Sequence, residues 1–431
     1  MSLDEELSKE NLRKYSNACL DLAMNIPEQH SKKPFDTIVI PSRGAVPFFL
    51  GTIYALEKLQ KQYGDDYKAF FDNLAIQSTL SSLMPKGVEI SRNPRDKDIR
   101  VLLIPFTADL NLKGFDKTLT DKDETEYTTR TRKYWANVTA AFFKSPEERN
   151  KDPYFKSFTD VVLDKVENRP ELAELYGGFP KINKFAMIDT VISGRASNEI
   201  LREFDSLSEW EGNENLKPFA FLIIDKDGRA LESKVHRHYL NYLNMKEANN
   251  LVKRYKIPNI VSEDKGPSLL GVAATLYPSI MRESLKNIRI VQEGLEKEFF
   301  VGAGSWHIST GNEEEHLKTF QRFMNVIYRG IDFGYNQMLE EEDTDKTQMH
   351  LNNFLNSRIE LIDHMTYNKS SSCDRFNKTT FYKLRDLVSQ NSYTAHSGVD
   401  HVVLDEKVTA DVISRLVNLP KVYRRFMPKA K

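Results

Sequence analysis

Short apolar runs alternate with helix-like segments along the first two thirds of the chain. Four runs are clear, FDTIVIPS (35–42), IRVLLIPF (99–106), KFAMID (184–189) and FAFLIID (219–225), and two are weaker, IPNIV (257–261) and EFFVGAG (298–304). Most are continuously apolar, which is typical of strands covered on both faces. Because helical patterns lie between them, the order predicts an α/β fold, a parallel sheet with helices on both faces.

The pattern changes at about residue 305, where apolar residues take helical spacing almost throughout. The segments with this spacing are EEEHLKTFQRFMNVIYRGIDFGYNQMLEEE, HLNNFLNSRIELIDHM and TTFYKLRDLVSQ. We therefore predict an α/β domain over residues 1–304 and an all-helical C-terminal region over residues 305–431.

The stretch between the second and third clear runs is longer than a loop and a helix require. It predicts an insertion at about residues 107–183. The first part of this stretch, residues 107–135, is polar and charge-dense, which is typical of a surface loop or a long hairpin.

The overall composition excludes several classes of protein. The 431 residues contain 61 Lys and Arg against 62 Asp and Glu, so the net charge of -1 gives no reason to expect nucleic acid or an anionic membrane as a partner. Cys19 and Cys373 are too few and too far apart for a disulfide framework or a thiolate zinc site. The polar N-terminus and the lack of an apolar run of about 20 residues predict a cytoplasmic protein that does not span a membrane.

The first clear run ends in residues that suit an anionic ligand. Ser42, Arg43 and Gly44 follow it directly and precede a helical pattern. Arg43 offers a planar fork for phosphate oxygens, and Gly44 lets the backbone approach a ligand closely. An ordinary tight turn between a strand and a helix accounts for the same residues, so both interpretations stay open.

The third clear run ends in an acid and a small polar turn. Asp189 closes the run, and the turn leads into a helical pattern through Ser193, Gly194, Arg195, Ala196 and Ser197. Amides and hydroxyls at a helix N-terminus converge on an anion, while a carboxylate accepts hydrogen bonds from sugar hydroxyls. Together they predict a ribose phosphate site. The alternative is that Asp189 merely ends a strand and Ser197 caps a helix.

In these residues the chain resembles the type I phosphoribosyltransferases, and the resemblance extends as an order of elements over residues 35–305. In that family an Arg-Gly or Lys-Gly loop after an early strand precedes a strand with acidic residues, a Thr/Ser-Gly loop and a helix. The resemblance implies that Ser42, Arg43 and Gly44 hold a pyrophosphate. It implies that the ribose and its 5′-phosphate contact Asp189, Thr190, Ser193, Gly194, Arg195, Ala196 and Ser197, with Asp189 and Arg43 as the catalytic residues.

The resemblance further implies transfer of a phosphoribosyl group from phosphoribosyl pyrophosphate to a nucleobase-like acceptor, with Mg²⁺ carried by the pyrophosphate rather than by protein ligands. The family closes a mobile basic loop over its site, for which the candidates are Arg130, Arg132 and Lys133. Acceptor candidates are Asp264 and Lys265, for which a surface turn is the favoured alternative. The resemblance also suggests a homodimer.

Two departures from the family pattern support a different class of function. One carboxylate, Asp189, stands where the family has a pair, and Ala196 stands where a second Thr is usual. These departures favour a catalytically degenerate regulatory protein that senses phosphoribosyl pyrophosphate or a nucleotide. A third class is a helical effector in the C-terminal region, where Arg358 and His364 have a spacing found in some ribonucleases. That spacing is so permissive that chance accounts for it.

Overall fold

The computed structural model describes fifteen stretches of the chain. These are residues 7–42, 44–76, 84–85, 88, 90–91, 97–104, 110–111, 132–156, 176–258, 288–290, 299–301, 313–339, 344–369, 396–398 and 401–403.

A six-stranded parallel sheet forms the centre of the molecule. Its strands are β1 (Thr37–Ile40), β2 (Leu74–Ala75), β3 (Ile99–Leu103), β4 (Phe185–Val191), β5 (Phe219–Ile224) and β6 (Val252–Lys256). Their order across the sheet is β2-β3-β1-β4-β5-β6, and every neighbouring pair is parallel. The predicted parallel sheet is therefore confirmed, and its central strands are the continuously apolar runs.

Within the described residues, the two weaker apolar runs add no strand to the parallel sheet. The last strand of the sheet is β6, so the strand predicted at 257–261 is wrong for its described residues, 257 and 258. β6 lies at an edge and has two buried residues, Val252 and Tyr255, among charged residues that are partly or fully exposed, which hides it from a search for apolar runs. Phe299–Val301 is a strand, but it pairs antiparallel in a separate sheet with Leu110–Asn111 and Ile288–Ile290.

The helices that bear on the site or the core lie before, between and after these strands. They are α1 (Lys9–Lys32), α2 (Ala45–Leu59), α3 (Asp65–Asp72), α4 (132–141), α5 (Pro146–Arg149), α6 (Arg195–Glu211), α7 (Arg237–Ala248), α8 (Glu313–Met338) and α9 (Thr344–Lys369). α2 leads from β1 towards β3, and α6 leads from β4 towards β5, in opposite directions along the sheet. Right-handed connections place two such helices on opposite faces.

The C-terminal region contains the predicted helices, and the first of them packs on the α/β layers. On α8, Phe320, Phe323 and Ile327 are buried and belong to the same apolar cluster as α1 and α2. The region is not wholly helical, because His396–Gly398 and His401–Val403 pair as antiparallel strands. The segment 379–390 and the boundary at residue 304 lie outside the described residues, so that boundary stays a prediction.

Part of the predicted insertion contributes to the core. Arg132, Tyr134 and Trp135 are buried on α4, so the surface loop predicted over 107–135 is wrong for residues 132–135. The apolar residues of YWANVTAAFF follow helical spacing, but the charge-dense stretch that precedes them obscures this pattern. The insertion therefore brings a helix against the sheet.

Candidate functional site

The carboxyl ends of β1 and β4 lie side by side. The two strands are parallel neighbours with Val39 opposite Met187. After β1 the chain forms β2 and β3 on one side of it and then crosses to β4 on the other side, so the strand order reverses at this pair. In open α/β sheets, ligands bind in the crevice outside such a reversal. The residues that follow β1 and β4 are therefore the candidate site.

The loop after β1 touches the end of β4. The hydroxyl oxygens of Ser42 and Thr190 lie 3.4 Å apart. A Cβ atom at Gly44 would lie 2.6 Å from Thr190 Oγ1, so only glycine allows the loop after β1 to approach β4 this closely. The structure thus brings together three residues predicted from sequence at separate strand ends. Arg43 lies outside the described residues.

Asp189 is buried beneath this contact, with 1% of its surface exposed. Its Oδ1 accepts a hydrogen bond from the Thr190 amide at 2.8 Å, and its Oδ2 accepts one from the Ser197 hydroxyl at 2.8 Å. The carboxylate therefore joins the end of β4 to the first turn of α6. A sugar hydroxyl would have to displace one of these internal donors to reach it, so the ribose role implied for Asp189 stays a prediction.

The buried position changes the protonation of this carboxyl. Burial raises the pKa of Asp189 above its ordinary value because the charged form loses its hydration. Hydrogen bonds from Ser42, Ser197 and the Thr190 amide, together with the positive charge of Arg132, oppose that rise in pKa. Four separate segments of the chain thus converge on one acid.

The turn before α6 depends on Gly194. This residue has φ +82° and is the N-cap of α6, and a Cβ there would lie 2.4 Å from Leu231 Cδ1. Since the N-cap is Gly194, the alternative in which Ser197 caps the helix is wrong. Gly194 has no side chain to accept hydrogen bonds from the first-turn amides. At this helix end, Ser193 is half-buried and Ala196 is exposed, so both are open to a ligand from solvent.

Charged side chains surround the first turns of α6. Arg195 donates from Nε to Glu199 Oε1 at 2.9 Å, and Arg132 forms an ion pair with the other oxygen of Glu199. Arg132 and the exposed Lys133 belong to α4, so the mobile loop predicted for these two residues is a helix instead. Arg130, the third candidate for that loop, lies outside the described residues.

The next strand end contains a strained turn. After β5, Lys226 and Asp227 have φ values of 54° and 55°, a left-handed conformation that non-glycine residues rarely adopt. Such strain is concentrated at functional sites. The acceptor candidates Asp264 and Lys265 lie outside the described residues, so that prediction stays open.

Sequence reasoning missed two features of this edge. Glu199 is not among the predicted site residues, although its position four residues after Arg195 indicates an ion pair on one helix face. The strain at Lys226 and Asp227 was also missed, and its only signal is the Asp-Gly pair that starts at Asp227.

Comparison of the chain with family models, with curated proteins and with solved structures finds no match. Within the described stretches, no group of three or more His, Cys, Asp or Glu side chains is arranged to hold a metal ion. None of the helices in those stretches combines the length and the apolar character that crossing a membrane requires. Proposals about function therefore rest on the geometry of the site and on the sequence resemblance.

Proposed function

We propose that this protein binds phosphoribosyl pyrophosphate or a nucleotide, on a scaffold like that of the type I phosphoribosyltransferases, in the crevice between β1 and β4. The observation that carries the proposal is the contact of the Ser42 and Gly44 loop with Thr190, directly beside the glycine-capped start of α6. Contact between the loop after β1 and the end of β4 supports a single ligand that reaches both.

The start of α6 suits the 5′-phosphate. The first amides of a helix have no acceptor within the helix, and its macrodipole favours an anion there by about 0.3 to 1 kcal/mol. Gly194 has no side chain that could cap these amides, and Ala196 is exposed next to them. Ser193 provides a hydroxyl, although this hydroxyl already accepts from the Arg195 amide at 3.4 Å.

The sugar and the pyrophosphate would extend from α6 towards β1. The half-buried Thr190 stands nearest to the β1 loop and offers a hydroxyl, with Asp189 behind it. Magnesium would be held through the phosphate oxygens of the ligand, because the described residues provide no cluster of carboxylates for it. Its charge would neutralise the pyrophosphate.

Phosphoribosyl transfer to a nucleobase-like acceptor is the second candidate. It is supported by the Ser42-Arg43-Gly44 sequence at the pyrophosphate end and by the strained turn at the neighbouring strand end. Binding without transfer, as in a sensor, is supported by the internal hydrogen bonds of Asp189, the lone carboxylate of the motif.

Calorimetry with phosphoribosyl pyrophosphate and Mg²⁺ tests the binding proposal. We expect binding by the wild-type chain and weaker binding by Thr190→Val, which removes one hydroxyl and keeps the shape of the side chain. Ribose 5-phosphate and pyrophosphate should each bind less tightly than the whole ligand, because each fills half of the crevice. No binding of any of the three would overturn the proposal. Pyrophosphate release with a panel of nucleobases then separates a transferase from a sensor.

A further inference from the structure

Glu199 pairs with two arginines from different parts of the chain. Arg195 comes from the same helix, one turn earlier, and Arg132 comes from α4 in the insertion. The Arg132 side chain is 9% exposed and that of Glu199 is 13% exposed, so the pair is largely screened from water. A charge pair in such a place influences its surroundings more strongly than a surface pair does.

The pair lies at the helix end where the ligand phosphate is proposed to bind. Glu199 is on the second turn of α6, and Asp189 is joined to the first turn through Ser197. Two carboxylates therefore stand close to a site proposed for an anion. Without compensation, their charges would repel a phosphate and offset the attraction of the helix N-terminus.

Arg132 acts on both carboxylates. It pairs directly with Glu199, and its charge also stabilises the ionised form of Asp189. Arg195, by comparison, pairs with Glu199 alone among the described contacts, with its side chain 34% exposed. Arg132 is thus the cation placed to cancel both negative charges.

We infer that Arg132 is a positioning residue that neutralises Glu199 and Asp189, so that the start of α6 accepts the phosphate of the ligand. The inference rests on the proposed function and gives the insertion a role in it, since α4 supplies the compensating charge. Arg132 itself does not contact the ligand in this mechanism.

A purely structural role for Arg132 gives different expectations. If the ion pair only fastened α4 to α6, then loss of either partner would damage the site equally, and loss of both would not restore it. If Arg132 compensates charge, then its loss is harmful because Arg195 is left as the one cation beside Glu199 and Asp189 among the described contacts. Removing Glu199 as well should therefore restore binding.

The test measures the dissociation constant of phosphoribosyl pyrophosphate with Mg²⁺, together with thermal stability, in the full chain. The variants are Arg132→Met, Arg132→Lys, Glu199→Gln and the double variant Arg132→Met/Glu199→Gln. We expect Arg132→Met to bind about tenfold more weakly or worse, because without Arg132 the negative charges of Glu199 and Asp189 near the phosphate are compensated by Arg195 alone. Arg132→Lys should keep most of the affinity, and Glu199→Gln should bind no more weakly than wild type.

The double variant decides the outcome. It removes the negative charge of Glu199 together with the positive charge of Arg132, so it keeps the assay informative even where Arg132→Met folds poorly. Recovery of most of the affinity in the double variant supports charge compensation. Wild-type affinity in Arg132→Met, or a double variant that binds no better than Arg132→Met, overturns this inference and leaves the proposed function standing. No binding by wild type overturns both.

Discussion

Ser197 donates a hydrogen bond to Oδ2 of Asp189 at 2.8 Å, and both residues are 1% exposed. This bond connects the end of β4 to the first turn of α6, so it fixes the strand and the helix that flank the candidate site. Loss of the hydroxyl would leave one oxygen of a buried carboxyl without that donor.

We expect Ser197→Ala to lower the free energy of unfolding by about 1 to 3 kcal/mol, the usual cost of an unsatisfied buried polar group. Ser193→Ala is the matched control, because Ser193 lies in the same turn, is half-buried and forms only a 3.4 Å hydrogen bond. Urea unfolding measures both. Equal losses of unfolding free energy in the two variants would contradict a specific contribution of the Ser197–Asp189 hydrogen bond to stability.

The burial of Asp189 predicts a specific dependence of stability on pH. Because its pKa is raised in the folded state, mainly by burial, the folded protein holds this proton more tightly than the unfolded chain does. The stabilising contribution is complete below the ordinary Asp pKa of about 3.9 and is lost as pH rises through the folded pKa.

Asp189→Asn isolates this contribution. The asparagine cannot ionise, and its amide can still donate to the Ser197 hydroxyl while its oxygen accepts from the Thr190 amide. The stability of Asp189→Asn relative to wild type should therefore rise between about pH 4 and pH 8. Denaturant unfolding across that range checks this. A difference in unfolding free energy between Asp189→Asn and wild type that stays constant with pH would contradict the raised pKa of Asp189.

The crossing of α1 and α8 depends on a glycine. A Cβ at Gly330 would lie 2.2 Å from Ser16 Oγ and 2.9 Å from Ser16 Cβ, and that hydroxyl donates to Leu12 O and Ile327 O. We expect Gly330→Ala to destabilise the protein by about 1 to 3 kcal/mol through overpacking. Gly177→Ala is the control, because a Cβ at Gly177 meets no atom within 4 Å. Thermal unfolding of the two variants gives the comparison, and equal melting temperatures would contradict this packing.

The central sheet could be predicted because both faces of its inner strands are covered. β1 and β5 are continuously apolar, and short apolar runs bounded by polar turns are typical of buried parallel strands. The edge strands β2 and β6 could not be found in this way, because β2 has two residues and β6 has charged residues at its three positions that are not buried. The first helix, α1, was also missed, because polar residues open the N-terminus and mask the apolar positions that follow.

The residues of the candidate site could be selected from the sequence, but the orientation of their side chains could not. Glycine and small polar residues after apolar strands indicated both loops, and the sheet order brings those loops together. Sequence alone cannot show whether the Asp189 side chain faces a ligand or the core, because an acid at the end of a buried strand is compatible with either orientation. The buried carboxyl accepts a hydrogen bond from Ser197, and the charge of Arg132, from a segment distant in sequence, lowers its pKa.

The most direct test of phosphate binding places a negative charge at the start of α6. Ala196 is exposed in the first turn, so Ala196→Glu should leave the fold intact and even stabilise the helix by about 0.3 to 1 kcal/mol. Ala196→Gln is the control of the same size without the charge. The measurement is calorimetric titration of both variants and the wild type with phosphoribosyl pyrophosphate and Mg²⁺. We predict that Ala196→Gln binds nearly as wild type does and that Ala196→Glu loses roughly tenfold or more in affinity. Equal affinity in the two variants would contradict phosphate binding at this helix end.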